Sequence, residues 1–255
     1  MRLIEPLAFR VSSASSSLEN LLQGTVRGQH THNPVHFPDL PSIYTLARTQ
    51  LEAYLTFHYL FINPASDEER EMKYLIFQHG GLLARQSGRA GLQALYDETQ
   101  DACLLPVLEQ MDEEASTIAA IRLALEQLPL FTSTYNSGQR GSILSNQQPR
   151  SRTQGWEKVI ESSPLATDSF QRMWSLYSMH AHTEYIALNQ LRDYLMDIEG
   201  HDRITRHVTI KNSLSVLSTF ITSFVEYMNL QEHYDKLSPD LKEQIGFWSE
   251  FARNS

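Results

Sequence analysis

Cysteine is nearly absent: Cys103 stands alone in 255 residues. That excludes an intrachain disulfide framework and any four-cysteine zinc site. Positive charge is also in short supply, with 21 Lys+Arg against 30 Asp+Glu and a formal net charge of −9. Such a balance argues against general wrapping of nucleic acid and against an anionic membrane surface, leaving only a local basic patch for nucleic acid. Long apolar runs are missing too. Between Lys211 and Glu226 lie 14 uncharged residues, including four Ser and two Thr, short of the roughly 18–20 needed to cross a bilayer as a helix. At the N-terminus Glu5, Pro6 and Arg10 interrupt what a secretory signal would need as a continuous apolar stretch.

Catalytic signatures are equally scarce. Neither glycine-rich phosphate cradle occurs, nor a Gly-x-Ser-x-Gly elbow, nor His-Glu-x-x-His. No Glu is followed three residues later by His, which removes the usual ligand motif of di-iron helical bundles. No cofactor is expected, and no metal site. His30, His32 and His36 cluster in one Pro-containing loop, but nothing there fixes a coordination geometry, and a solvated loop is the expectation.

What is present is a folded, apolar-rich chain, 41% hydrophobic and 10% aromatic, and the expectation is a cytoplasmic globular protein. Its periodicity is helical. Tyr44, Ala47, Leu51, Leu55, His58, Tyr59 and Ile62 share one face of a helix starting near Pro41-Ser42 and stopped by Asn63-Pro64. Ser66-Asp67-Glu68-Glu69 reads as a capped start, and that helix should run to about Gln86, ended by Ser87-Gly88. Another spans about Leu104 or Gln110 to Leu128. From Asp168 to Leu195 the pattern predicts one long helix, apolar on two sides and therefore central and buried. Two further helices follow, over about 204–230 and 239–251. No strand pattern, repeat or domain boundary is visible. The expected architecture is one all-α domain over residues 1–255, a bundle of about six to eight helices. It carries a partly irregular N-terminal segment, 1–41, and a long basic loop, 129–155. That loop falls within the 30 residues between Glu126 and Glu157, which hold no acid but do hold Arg140, Arg150 and Arg152. Nucleic acid, if it is a ligand, is expected only there.

Charges on core faces are the sharper clue. Arg48 projects into the apolar stripe of its helix, with Glu52 one turn later. A guanidinium facing a core keeps its proton and needs a carboxylate and further acceptors. Ser178 and His182 are likewise one turn apart, beside Trp174. If the two helices pack together, Arg48, Glu52, Ser178 and His182 converge on one polar pocket. Trp156 and Trp174, with the three loop arginines, are the candidate substrate contacts. His180 and Glu184 share a helix face, and a bond within that helix is expected between them.

Three segments carry a resemblance: Ala47-Arg48-x-x-x-Glu52, Gly155-Trp156, and Trp174-x-x-Tyr177-Ser178-x-x-x-His182. Together they resemble a bacterial all-α family of unknown function, over roughly residues 40–195. Its members typically pair an Arg-x-x-x-Glu helix with a Tyr-x-x-Leu-Ser-x-x-x-His helix; here Trp174 and Tyr177 stand at the aromatic and Leu positions. A looser similarity is to the HEPN superfamily, whose nucleases place Arg and His four to six residues apart on a late helix. In this chain seven residues separate Arg172 from His180, and three separate Arg203 from His207.

Two readings of function follow. The first is a non-catalytic regulatory or interaction protein, with a structural polar network and an unidentified protein partner or self-association. The second is a HEPN-like, metal-independent hydrolase or RNase. In it His182 is general acid/base, Glu52 orients it, Arg48 stabilises developing charge and Ser178 holds the substrate or the His tautomer. A metal-dependent variant would use His182, Glu52 and a loop His.

Overall fold

The computed structural model describes residues 3–27, 35–37, 39–145, 153–182, 184–196 and 198–255. Among these the chain is all-α apart from one antiparallel hairpin, β1 (Thr25–Arg27) and β2 (Val35–Phe37), with Val26 opposite His36. Strands of three residues are too short to show an alternation. The helices number thirteen among the described residues, more than the six to eight expected, because the 168–195 helix is split in two, the two segments expected to be irregular hold three helices, and three further short helices lie over 89–99, 156–161 and 231–235.

The chain divides into two compact units, residues 1–63 with 156–255, and residues 64–155. The sequence shows no such boundary because both edges, Asn63-Pro64 and Gly155, read as ordinary helix punctuation.

The first unit begins with α1 (Ile4–Leu22). The Ser-rich stretch Ser12–Ser17 is therefore helical, not irregular: Val11, Ala14, Leu18 and Leu22 recur at three and four residues and are all buried. Helix α2 (Leu40–Phe57) starts on Asp39, whose carboxylate accepts from the Ser42 amide and hydroxyl, with Pro41 in the first turn. It continues as a π-helical turn, His58–Ile62, to the expected stop. Every residue from Ala53 to Phe61 is buried, and α2 packs against α1 and against two later helices, α9 (Thr167–Ala181) and α11 (Ile198–Tyr227). The central buried helix is thus α2. The 168–195 segment is not one helix: α9 ends at His182, and a separate helix runs over Tyr185–Met196. No Gly or Pro marks this break, so helical periodicity runs straight through it.

Elsewhere in this unit α11 is a core helix, with Val216 and Phe220 buried and its most extensive packing against a C-terminal helix, Pro239–Asn254. Its stretch Arg203–Tyr227 is long and apolar enough to cross a membrane by length and composition; a third of that window is buried inside the fold. The uncharged run of 14 residues is shorter because Lys211 interrupts it, whereas a spanning-length helix tolerates an isolated charge.

The second unit opens with α3 (Asp67–Gln86). The Ser66 hydroxyl accepts from the Glu69 amide, while Glu69 accepts from the Ala65 amide. Next come α4 (Arg89–Thr99), a 3₁₀ turn, and α5 (Leu105–Gln127). The segment expected as a long loop then forms α6 (Pro129–Thr134) and α7 (Ser137–Ile143). Pro129 takes a first-turn position, and Asn136 with Gln139 closes a capping box. Phe131, Ile143 and Leu144 join Met72, Ile76, Ile121 and Leu125 in this unit's core. A fully buried phenylalanine there is worth about 2–3 kcal/mol, which is why an apparently polar loop folds.

Remaining in the first unit are α8 (Trp156–Glu161), the α9 already described, α10 (Tyr185–Met196), α11, α12 (Gln231–Asp235) and α13 (Pro239–Asn254).

Candidate functional site

Helices α2 and α9 pack together and run in opposite directions along their polar seam, so Glu52 meets Trp174 and Arg48 meets His182. Arg48 Nε donates to Glu52 Oε1 at 2.9 Å. Trp174 Nε1 donates to the same oxygen at 3.1 Å. Arg48 Nη1 lies 3.3 Å from His182 Nε2. A guanidinium can only donate, so His182 Nε2 is the acceptor and its ring proton sits on Nδ1. The Arg48 guanidinium also stands 5.9 Å from the centroid of the Trp174 ring, within cation–π range.

The sequence expectation that these helices bring Arg48, Glu52 and His182 together matches this geometry, with Trp174 as a fourth member. Ser178 sits one turn before His182. Its hydroxyl is buried and has no hydrogen-bond partner. The Arg48 and Glu52 side chains are 20% and 25% exposed, so the network lies at the edge of the core and not within it. Contacts among the described residues link Glu52 to His182 only through Arg48. Glu52 therefore orients the arginine, not the imidazole.

Charge is balanced locally. The last carbonyls of α9 converge near His182, a region of partial negative charge that favours cations. Arg48 reaches that helix end through the His182 side chain while its Nε is held by the Glu52 carboxylate.

A second polar cluster, absent from the sequence reading, lies one turn further along the same seam. Tyr44 contacts both Tyr177 and His180, with ring centroids 5.3 and 4.5 Å away. His180 Nε2 is 2.9 Å from Gln190 Oε1 of α10, and Asn212 Nδ2 of α11 donates to the Tyr177 hydroxyl at 3.5 Å. Burial raises the pKa of Tyr177, only partly offset by Asn212. Burial raises that of Tyr44 also, against a hydrogen bond with Thr205. Burial lowers the pKa of His180, opposed by its bond to Gln190. The expected His180–Glu184 bond does not form, because the helix has ended: the Glu184 amide instead bonds back to the Met179 carbonyl. Spacing alone carried a signal for this cluster, since Tyr44 lies one turn before Arg48, and Tyr177 and His180 are three apart.

The remaining candidates lie elsewhere. Trp156 opens α8, which packs on α2 and α9. Arg140 belongs to the second unit, where its Nη1 donates to the carbonyls of Thr132 and Tyr135 at 3.0 and 2.9 Å and so fastens the α6–α7 turn. With Arg122 and Glu126 it borders a small cleft of about 360 Å³. Arg150 and Arg152, like His30 and His32, lie outside the described residues. Among the described residues no three His, Cys, Asp or Glu side chains are grouped to hold a metal. No protein-family model matches the chain, and no curated protein or solved structure matches it.

Proposed function

We propose that the chain is a helical regulatory or interaction protein in which the Arg48–Glu52–Trp174–His182 network is structural, fixing the register of α2 against α9. The observation that carries this reading is that the network closes on itself. Arg48 Nε, Arg48 Nη1 and Trp174 Nε1 each meet an acceptor inside it. An arginine already paired with a carboxylate has less residual attraction for an anionic substrate than an unpaired one. Large apolar side chains left exposed on α10 and α11, among them Tyr185, Met196 and Ile204, fit an interaction role.

The test is a double-mutant cycle on Arg48→Ala and His182→Ala, read by urea unfolding. A coupling energy of about 1 kcal/mol or more is expected for a structural pair. Additive single effects in a protein that stays folded, together with loss of its cellular phenotype, would refute the structural reading.

One observation favours the second reading, a metal-independent hydrolase. The unpartnered Ser178 hydroxyl sits one turn from an imidazole whose tautomer is fixed, as a general acid/base requires. In that version His182 moves the proton, Arg48 meets developing negative charge and Ser178 holds the substrate.

A further inference from the structure

Helices α1 and α11 both pack on α2 and touch each other, yet an open groove of about 660 Å³ remains between them. That volume lies in the range of small-molecule sites. Its two ends follow from the register of the helices. Gln50 of α2 bonds both the Ser15 hydroxyl and the Ser213 carbonyl, so Ser15 and Ser213 lie level. Phe57 meets Phe220, so α2 and α11 run the same way. Leu21, near the end of α1, shares a cleft with Pro41 at the start of α2, so α1 runs against both. Arg206 is therefore level with Leu22. Glu19, Gln23 and Arg206 gather at one end of the groove, and Ser12, Ser16 and Leu217 at the other.

The middle is apolar. Leu18, Ile210 and Leu214 line it, with Leu18 buried beneath and Ile210 43% exposed. The lining covers residues 12–23 of α1 and 206–217 of α11, about 16 Å of helix at 1.5 Å per residue. At the serine end, the Ser12 and Ser15 hydroxyls donate to the Phe9 and Val11 carbonyls of their own helix. That end asks for no charged partner. The other end carries both signs on opposite walls. On α1, Glu19 is the one charged residue between Arg10 and Leu22; α11 carries Arg203, Arg206 and Lys211, with no acid between Asp202 and Glu226. A lone anionic head would meet Glu19, and a lone cationic head would meet Arg206. A head carrying both charges suits both walls.

We infer that the α1–α11 groove binds a zwitterionic single-chain amphiphile. Its anionic group sits at Arg206, its ammonium at Glu19, and its hydrocarbon chain along Leu18, Ile210 and Leu214. An extended chain of about twelve carbons, with C–C bonds of about 1.5 Å, matches the length of the groove. The groove shares no lining residue with the Arg48–Glu52–Trp174–His182 network, so this site goes beyond the structural reading and does not depend on it.

The experiment is isothermal titration of the full chain with three probes that share a dodecyl chain, each kept below its micelle concentration. They are dodecylphosphocholine, dodecanoate and dodecyltrimethylammonium. Dodecylphosphocholine is expected to bind one per chain with a Kd on the order of 10–100 µM, and the other two at least about tenfold more weakly. Glu19→Gln should turn the preference toward dodecanoate, and Arg206→Gln toward dodecyltrimethylammonium. Ile210→Glu sets a carboxylate midway along the groove and should weaken dodecylphosphocholine at least about tenfold, while Ile210→Leu should bind as wild type does. Far-UV circular dichroism shows that each variant keeps its fold, and the exposed position of Glu19 keeps the head-group test independent of the Ile210 variants. Absence of binding by dodecylphosphocholine overturns the proposal, as does equal binding of the three probes. Binding that survives Ile210→Glu places the amphiphile on another apolar surface and overturns it too. Each of these results leaves the Arg48–His182 coupling, measured by unfolding, to stand or fall separately.

Discussion

Trp174 and Arg48 share one acceptor: the indole Nε1 and the guanidinium Nε both donate to Oε1 of Glu52, at 3.1 and 2.9 Å. A single carboxylate oxygen therefore joins α9 to α2. Removing it should do more harm than removing either donor. Glu52→Ala leaves a half-buried arginine without its counter-charge and should cost about 2–3 kcal/mol. Trp174→Phe keeps most of the ring packing and should cost about 1 kcal/mol. Equal losses for both variants in urea unfolding would mean the carboxylate is not the joint.

His180 makes stability depend on pH. Burial first, against its bond to Gln190, sets its folded pKa below the ordinary 6.5. The unfolded chain therefore binds more protons just below that value, and stability falls as pH drops through it; above it the contribution is complete. Thermal unfolding should occur at lower temperature at pH 5.5 than at pH 7.5. His180→Gln should shrink that difference, and an unchanged slope in the variant would contradict this assignment. His79, lowered by burial and then by Arg122, adds the same sign in the other unit, so the slope should shrink without vanishing.

Gln50 is a buried clamp, 1% exposed. Its Nε2 donates to the Ser15 hydroxyl at 2.7 Å and to the Ser213 carbonyl at 3.2 Å, drawing α1, α2 and α11 together. Gln50→Ala should destabilise by about 2–3 kcal/mol through lost bonds and a small void. Ser15→Ala, removing one acceptor, should cost about 1 kcal/mol. Chemical denaturation of both variants checks the ordering.

Ser66 caps α3, accepting from the Glu69 amide at 3.1 Å. Ser66→Ala should cost about 1 kcal/mol and raise hydrogen exchange at the Glu69 amide. Because Glu69 answers with a bond to the Ala65 amide, Glu69→Ala should loosen the same turn.

How much of this was legible depended on the kind of signal each segment carried. Helices α2 and α3 announced both ends through Pro41, Asn63-Pro64 and the Ser66–Glu69 box, and the structure places them accordingly. The Arg48–Glu52–His182 convergence followed from charges on apolar faces, because a buried guanidinium must find acceptors. Helix α1 was hidden by six residues of Ser and Ala whose low hydrophobicity masks a regular apolar spacing. Helices α6 and α7 were hidden by polar composition, although Asn136 and Gln139 stand at capping-box spacing. The end of α9 at His182 had no local mark at all. Tertiary contacts from Tyr44, Gln190 and Asn212 hold that corner, and such contacts leave no trace in periodicity.

In the order of the chain, residues 64–155 come after α2 and before α9 and α11, the later helices that pack on it. Arg48 and His182 are 134 positions apart in the chain. At ordinary synthesis rates of about 5–20 residues per second, α2 leaves the ribosome roughly 7–30 seconds before α9. During that interval α1 is the one major covering available to the apolar run Ala53–Phe61. The nascent chain must therefore carry a core helix covered on its α1 side alone while it builds an entire second unit.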